Sequence, residues 1–343
     1  MELGITTFAE TTPDPVTGQV RSHGERLRQV VEEAELCEAV GLDVYGIGEH
    51  HRPDFASSAP AVVLAAIAAR TERIRLAPAV VILSSDDPVR VFQQFATLDL
   101  LSAGRAELLV GRGSFIESFP LFGYDLADYD DLFAEKLDLL LAIRDHERVT
   151  WSGKFRPPLT DQAIYPRPQQ DPLPVWVGVG GSPESMVRAG LRGLPVALAI
   201  IGGIPDRFAV LGDIYRRALS EAGFDPSAVP LAVHAHGYVA TNSDQAVEEF
   251  YPPYALVMTQ LGRERGWTPM TRIQFEGMRG PAGSLVIGDP ETVAEKIVRW
   301  AKVLGIVRFM LHISVGTLPH ELVLNSIELF GKEVAPRVRQ ALG

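Results

Sequence analysis

Residues 25–51 read ERLRQVVEEAELCEAVGLDVYGIGEHH, and this stretch decides the fold. From Glu25 to Val40, the residues Leu27, Val30, Val31, Ala34, Cys37 and Val40 fall largely on one stripe of a helix. Gly41 suits the left-handed position that closes such a helix. Asp43–Gly48 then predicts a short strand, with Glu49-His50-His51 just past its C-terminal end. The same unit recurs along the chain. Pro88–Ala103 predicts a helix, Gly104 its stop, and Arg105–Gly111 a strand. Near the end, Asp289 caps a helix that begins at Pro290 and turns Val293, Ile297, Trp300, Ala301 and Leu304 inward. Gly305 and the strand Val307–Ile313 follow.

Extending this reading gives eight strands, at Leu3–Phe8, Asp43–Gly48, Ile74–Leu83, Arg105–Gly111, Pro174–Val179, Pro195–Ile200, Leu231–Ala240 and Val307–Ile313. Stretches such as Leu76–Leu83 are apolar on both faces, as buried parallel strands are. Eight strand–helix repeats predict an α/β fold of one domain over residues 1–343, a (β/α)8 TIM barrel. The alternative is an open doubly wound sheet, but its Gly-x-Gly-x-x-Gly turn is missing after the first strand. Two insertions interrupt the repeat. Val149–Asp171, between strands four and five, reads as a surface excursion. Gly262–Gly283, before strand eight, holds Trp267, Met270, Phe275 and Met278 in no clean period and reads as a long mobile loop over the barrel mouth.

Composition narrows the functional classes. Of 343 residues, 46% are hydrophobic and 22% charged, enough for a large core. A net charge of −11 repels polyphosphates and argues against a nucleic-acid partner. Cys37 stands alone, so no internal disulfide is possible. The start carries Glu2 where a signal peptide has a basic region, and no uncharged run nears the ~20 apolar residues of a membrane span. A cytoplasmic enzyme is the expectation.

Four places could carry chemistry. Alternation from Gly46 and Gly48 aims His50 into the mouth, the end of a barrel where catalysis occurs, and turns His51 away. Histidine suits proton transfer near neutrality, while the plainer reading leaves both histidines bonding loop backbone. Gly180-Gly181-Ser182-Pro183-Glu184-Ser185 combines close-approach glycines with a capped helix start, either an anion cradle or an ordinary turn. Arg112, between Gly111 and Gly113 at the end of strand four, could reach a phosphate or merely a surface turn. On strand seven, His234, His236 and Tyr238 share the inward phase, either lining a substrate pocket or forming a polar core layer. A metal site is the weaker reading of His234 and His236, since no third ligand sits at useful spacing.

Taken in order, these motifs resemble the bacterial luciferase-like flavin monooxygenases. The resemblance rests on Glu49-His50-His51, Arg75–Leu83 followed by Asp87-Pro88-Val89-Arg90, Leu101–Arg105, Gly111-Arg112-Gly113, Phe122-Gly123 and Gly288–Ala294. It implies a usually dimeric barrel that binds reduced FMN and often activates dioxygen. By the same resemblance His50 matches the active-site histidine, and Arg112 contacts the flavin phosphate. Gly181, Ser182 and Glu184 fall in the phosphate turn, and Ala79-Val80 is a cis pair behind the flavin ring. Gly111 stands where luciferase has a reactive cysteine. The implied partners are a small organic substrate, dioxygen and a separate flavin reductase. A deazaflavin (F420) oxidoreductase of the same fold is the alternative. A metal-dependent hydrolase using His50, His51, His234 and His236, and a non-catalytic flavin binder, stand further off.

Overall fold

The computed structural model describes residues 1–343. Eight parallel strands form the barrel: β1 (Glu2–Thr7), β2 (Val44–Ile47), β3 (Arg75–Pro78, resuming at Val81–Ile82), β4 (Leu108–Gly111), β5 (Val175–Val179), β6 (Val196–Ile200), β7 (Leu231–Val239) and β8 (Arg308–His312). Each pairs with the next in chain order, and β8 returns to β1. A bridge from Leu76 to Ala106 joins the first half of β3 to the chain entering β4 and closes the ring.

The helices follow from the patterns that predicted them. Ser22 caps His23–Ala39, whose Val30, Ala34 and Cys37 are buried. Gly41 at φ 79° ends that turn, a conformation that penalises any side chain. Asp87 caps Pro88–Leu101, and Asp289 caps Pro290–Leu304, which Gly305 closes at φ 68°. Their apolar faces pack on the strands in one continuous core. Arg105, part of a motif behind the family resemblance, is structural: its guanidinium binds the carbonyls of Ala68, Thr71, Ile74 and Ser102. At the N-terminal end of the barrel, Arg308 grips Glu107 and Glu2 and lies 4.3 Å from the Trp176 ring, plugging that end.

Four expectations need correction. The third strand is broken: its ladder stops after Pro78 and resumes at Val81, with a cis bond between Ala79 and Val80. Val149–Asp171 contains part of an antiparallel hairpin, Arg148–Trp151 with Leu159–Ala163. Gly262–Gly283 is not structureless. Helix Ser243–Arg265 runs into it through Pro252 and Pro253, and Gly266 stops it at φ 71°. A second helix, Arg272–Arg279, then starts on a capping box between Thr271 and Gln274 and buries Phe275. Finally, Tyr238 does not line the barrel. Beyond His236 the strand pairs with Val286–Gly288, and Tyr238 stacks on Phe250 while its hydroxyl binds Glu249 at 2.7 Å.

Candidate active site

The register sets the site. Thr6 pairs with Gly46 on one side and His312 on the other, and His312 pairs with His236. These residues form one tier near the C-terminal end of four adjoining strands. Gly46 is required there, because a Cβ would meet the Thr6 methyl at 2.8 Å. Above the tier opens a cavity of about 260 Å³, near the low end of ligand sites. Thr6, Phe8, Leu109, Tyr129, Ile201 and His312 line it, together with Ala79, Val80, Arg112, Gly180, His234 and His236. Three roomier clefts lie elsewhere, one beside Tyr238 and Lys332, one at the N-terminal face beside Trp176, and one between helices Pro60–Ala68 and Pro88–Leu101 beside Tyr165. All three are open grooves away from the barrel mouth, where the chemistry of this fold resides.

One wall is built by Val80. Its methyls sit 2.8 Å from where a Cβ on Gly111 or on Gly178 would lie, so both glycines make room for it. The Ala79–Val80 bond is cis, as the resemblance implied. At the rim Arg112 pairs with Asp130 and lies 5.1 Å from the Tyr129 ring. Gly180 lines the cavity with no atom within 4 Å of its missing Cβ, leaving backbone free to approach a ligand. Gly181 (φ 113°), Ser182 and Glu184 continue the turn outward. Ser182 caps helix Pro183–Gly190 and donates to Glu184 at 2.8 Å. The Glu184 backbone N–H, then Ser182 and Arg112, hold that exposed carboxylate below its usual range.

The histidines divide. His50 is buried behind the cavity wall, its ring 4.5 Å from Phe8, 4.3 Å from Phe55 and 5.2 Å from Phe115. Its Nδ1 has no partner. Burial, with His312, His51 and Arg52 nearby, pushes it down to about 3. His51 turns the other way and meets Glu49 at 2.9 Å, while the second Glu49 oxygen accepts the Ile82 N–H. His234 is also lowered to about 3, by burial and then Arg308 and His312. His236 lies well below its ordinary value for the same first reason, and its Nδ1 too is unpartnered. The four histidines of the metal reading do not converge, and no three His, Cys, Asp or Glu side chains could hold an ion.

Sequence reasoning missed Phe8, Thr6, Glu10 and His312. Phe8 lies between His50 and His312, 4.1 Å from the latter. The available signal was a histidine at the C-terminal end of the last strand, the position already weighed for His50 and His236.

The family description "luciferase-like monooxygenase" matches residues 1–306. The chain belongs to this family. Among its relatives, the N-acetyl-S-alkylcysteine monooxygenase of Bacillus subtilis is 33% identical over 53% of each chain. Several such alignments span about half of the relative's own length. The F420-dependent glucose-6-phosphate dehydrogenase of Nakamurella multipartita is 26% identical over 97% of this chain and 99% of its own. Among solved structures, the oxygenating constituent of 3,6-diketocamphane monooxygenase from Pseudomonas putida, in complex with FMN, superposes with a TM-score of 0.78. That likeness, at 22% identity over 98% of both chains, speaks to the barrel fold. No helix is long and apolar enough to cross a membrane.

Proposed function

We propose that this chain is a flavin-dependent monooxygenase, taking reduced FMN and dioxygen to a small organic substrate. The carrying observation is one cavity that joins the Val80 wall to a rim holding Arg112 and the Gly180 turn. These residues fit the cofactor. Arg112 and the N–H groups around Gly180–Ser185 would hold the phosphate, and Val80, between two glycines, would back the ring. The unpartnered Nδ1 of His236, which lines the cavity, leaves polar capacity that a bound group would satisfy. When bound, the flavin supplies electrons for dioxygen activation.

The chain's own residues orient and shield. Phe8 and Leu109 supply apolar wall beside the polar tier of Thr6, His236 and His312. Burial holds His50 neutral, so behind Phe8 its unpartnered Nδ1 is suited to hydrogen bonding or to relaying a proton and not to storing one. The reading brings a separate reductase as electron source and, by the family resemblance, a homodimer. Exposed Val62, Leu100 and Leu101 on two neighbouring helices supply an apolar face for such pairing.

The whole-chain similarity to an F420-dependent dehydrogenase favours a second reading, hydride transfer with deazaflavin and no dioxygen. The test is purified protein given each reduced cofactor in an oxygen-electrode cell, with binding of each followed in parallel. Tight FMN binding with bound-flavin oxygen uptake supports the monooxygenase. F420 binding without oxygen uptake, and no FMN binding, replaces it with the second reading.

A further inference from the structure

We propose that His312 and Glu10 form a proton-holding pair at the floor of the cavity, a proton-handling site separate from His50. The residues stand 302 positions apart and meet because β8 closes on β1. His312 Nε2 lies 3.2 Å from Glu10 Oε1, and Nδ1 lies 3.1 Å from Thr6 Oγ1. Both residues are buried. The other Glu10 oxygen accepts from Ser314 at 3.0 Å and from Thr7 at 3.4 Å. The carboxylate is therefore surrounded by donors. A buried carboxylate is costly without an opposite charge beside it, and His312 is the one cation-forming group that touches Glu10.

The other groups facing this pair do not compete for the role. His50, His234 and His236 have no carboxylate partner, and burial drives all three toward the neutral form. Arg26 reaches Thr7 at 3.1 Å but is held by Glu33 at 2.6 Å. Arg308, lower on the same strand, is bound by Glu107 and Glu2. Among the cavity histidines, only His312 has an anion behind it and the cavity in front.

Thr6 completes the path, since it lines the cavity and touches Nδ1. With both ring nitrogens protonated, Nδ1–H donates to Thr6 Oγ1 and Nε2–H to Glu10. When a base in the cavity takes a proton, the Thr6 hydroxyl hydrogen leaves and the Nδ1 hydrogen replaces it. One proton moves, the ring becomes neutral, and Nε2–H stays on Glu10. Use of this path in turnover rests on the proposed function, but the pair itself does not.

The test uses the full chain without flavin, so that it stands or falls apart from cofactor identity. Histidine rings labelled with ¹³C and ¹⁵N are followed by NMR, with the His312 signal assigned by its loss in His312→Gln. At one fixed pH, Glu10→Gln should lower the share of His312 rings that carry hydrogen on both nitrogens, because the opposite charge is lost. Glu10→Asp should retain most of that share, while His50 and His236 stay neutral in all forms. An unchanged share in Glu10→Gln overturns the proposal. In the wild type, long-range ¹H–¹⁵N spectra give a measure that needs no Glu10 variant. Nε2 should carry hydrogen throughout, and Nδ1 should gain one on acidification. A bare Nε2, or a ring that takes up no proton before the fold is lost, also overturns it.

Discussion

Replacing Arg112 by alanine should separate phosphate binding from ring binding. In the ligand-free chain its guanidinium is paired to Asp130, whose side chain is 65% exposed, so that bond contributes only ~0.2–1 kcal/mol. A phosphate taking the same fork would gain ~1.5–3 kcal/mol, less the Asp130 bond it displaces. The net loss in Arg112→Ala is then about 0.5–2.8 kcal/mol, or roughly 2- to 100-fold in Kd for FMN. Riboflavin has the ring and no phosphate, so its affinity should change by less than about twofold on this account. Asp130→Asn should act oppositely, tightening FMN about 1.5- to 5-fold by removing the competitor. Flavin fluorescence on titration with protein measures all six affinities. Equal losses of FMN and riboflavin in Arg112→Ala would refute the phosphate assignment, and weaker FMN binding in Asp130→Asn would refute the competition.

Gly111→Ala should abolish most flavin binding, since its Cβ would meet Val80 at 2.8 Å, and Val80→Ala in the same chain should restore part of it. Lack of rescue would mean that Val80 does not shape that wall. His50→Ala should bind FMN within about twofold yet lose ~10²–10⁴ of oxygen-dependent product formation, with peroxide released instead. His51→Ala should lower the Tm, because buried Glu49 loses its partner; reversed phenotypes would move the chemistry to His51. The carboxylates of Glu33, 3.6 Å from Nδ1, and Glu32, bonded to Nε2 at 3.0 Å, raise His320 above its usual 6.5. Its stabilisation is therefore full below pH 6.5 and lost as pH rises through the raised value. His320→Gln should lower the Tm at pH 6 more than at pH 9, and an equal loss at both would refute the coupling.

What the sequence determined by itself is the repeat and its punctuation. Helix periodicity, Gly41 and Gly305 at positive φ, and caps at Asp87, Ser182 and Asp289 are local matters, settled within a few residues by backbone sterics and orphan N–H groups. Eight such units imply a closed parallel sheet and put His50, Arg112 and the Gly180 turn at its C-terminal end. The capping box at Thr271 was equally local and legible, and it was masked by the irregular period around it. Tertiary structure alone decided the tier. Inward phase along β2 aimed His50 at the mouth, but Phe8 from β1 shields it from the cavity. Phase along β7 aimed Tyr238 inward, but pairing with Val286–Gly288 carried it out to Glu249. Glu10 and His312 have no sequence relation at all. They meet because closure of the ring brings the last strand against the first, and the burial that follows makes each other's charge their cheapest available partner.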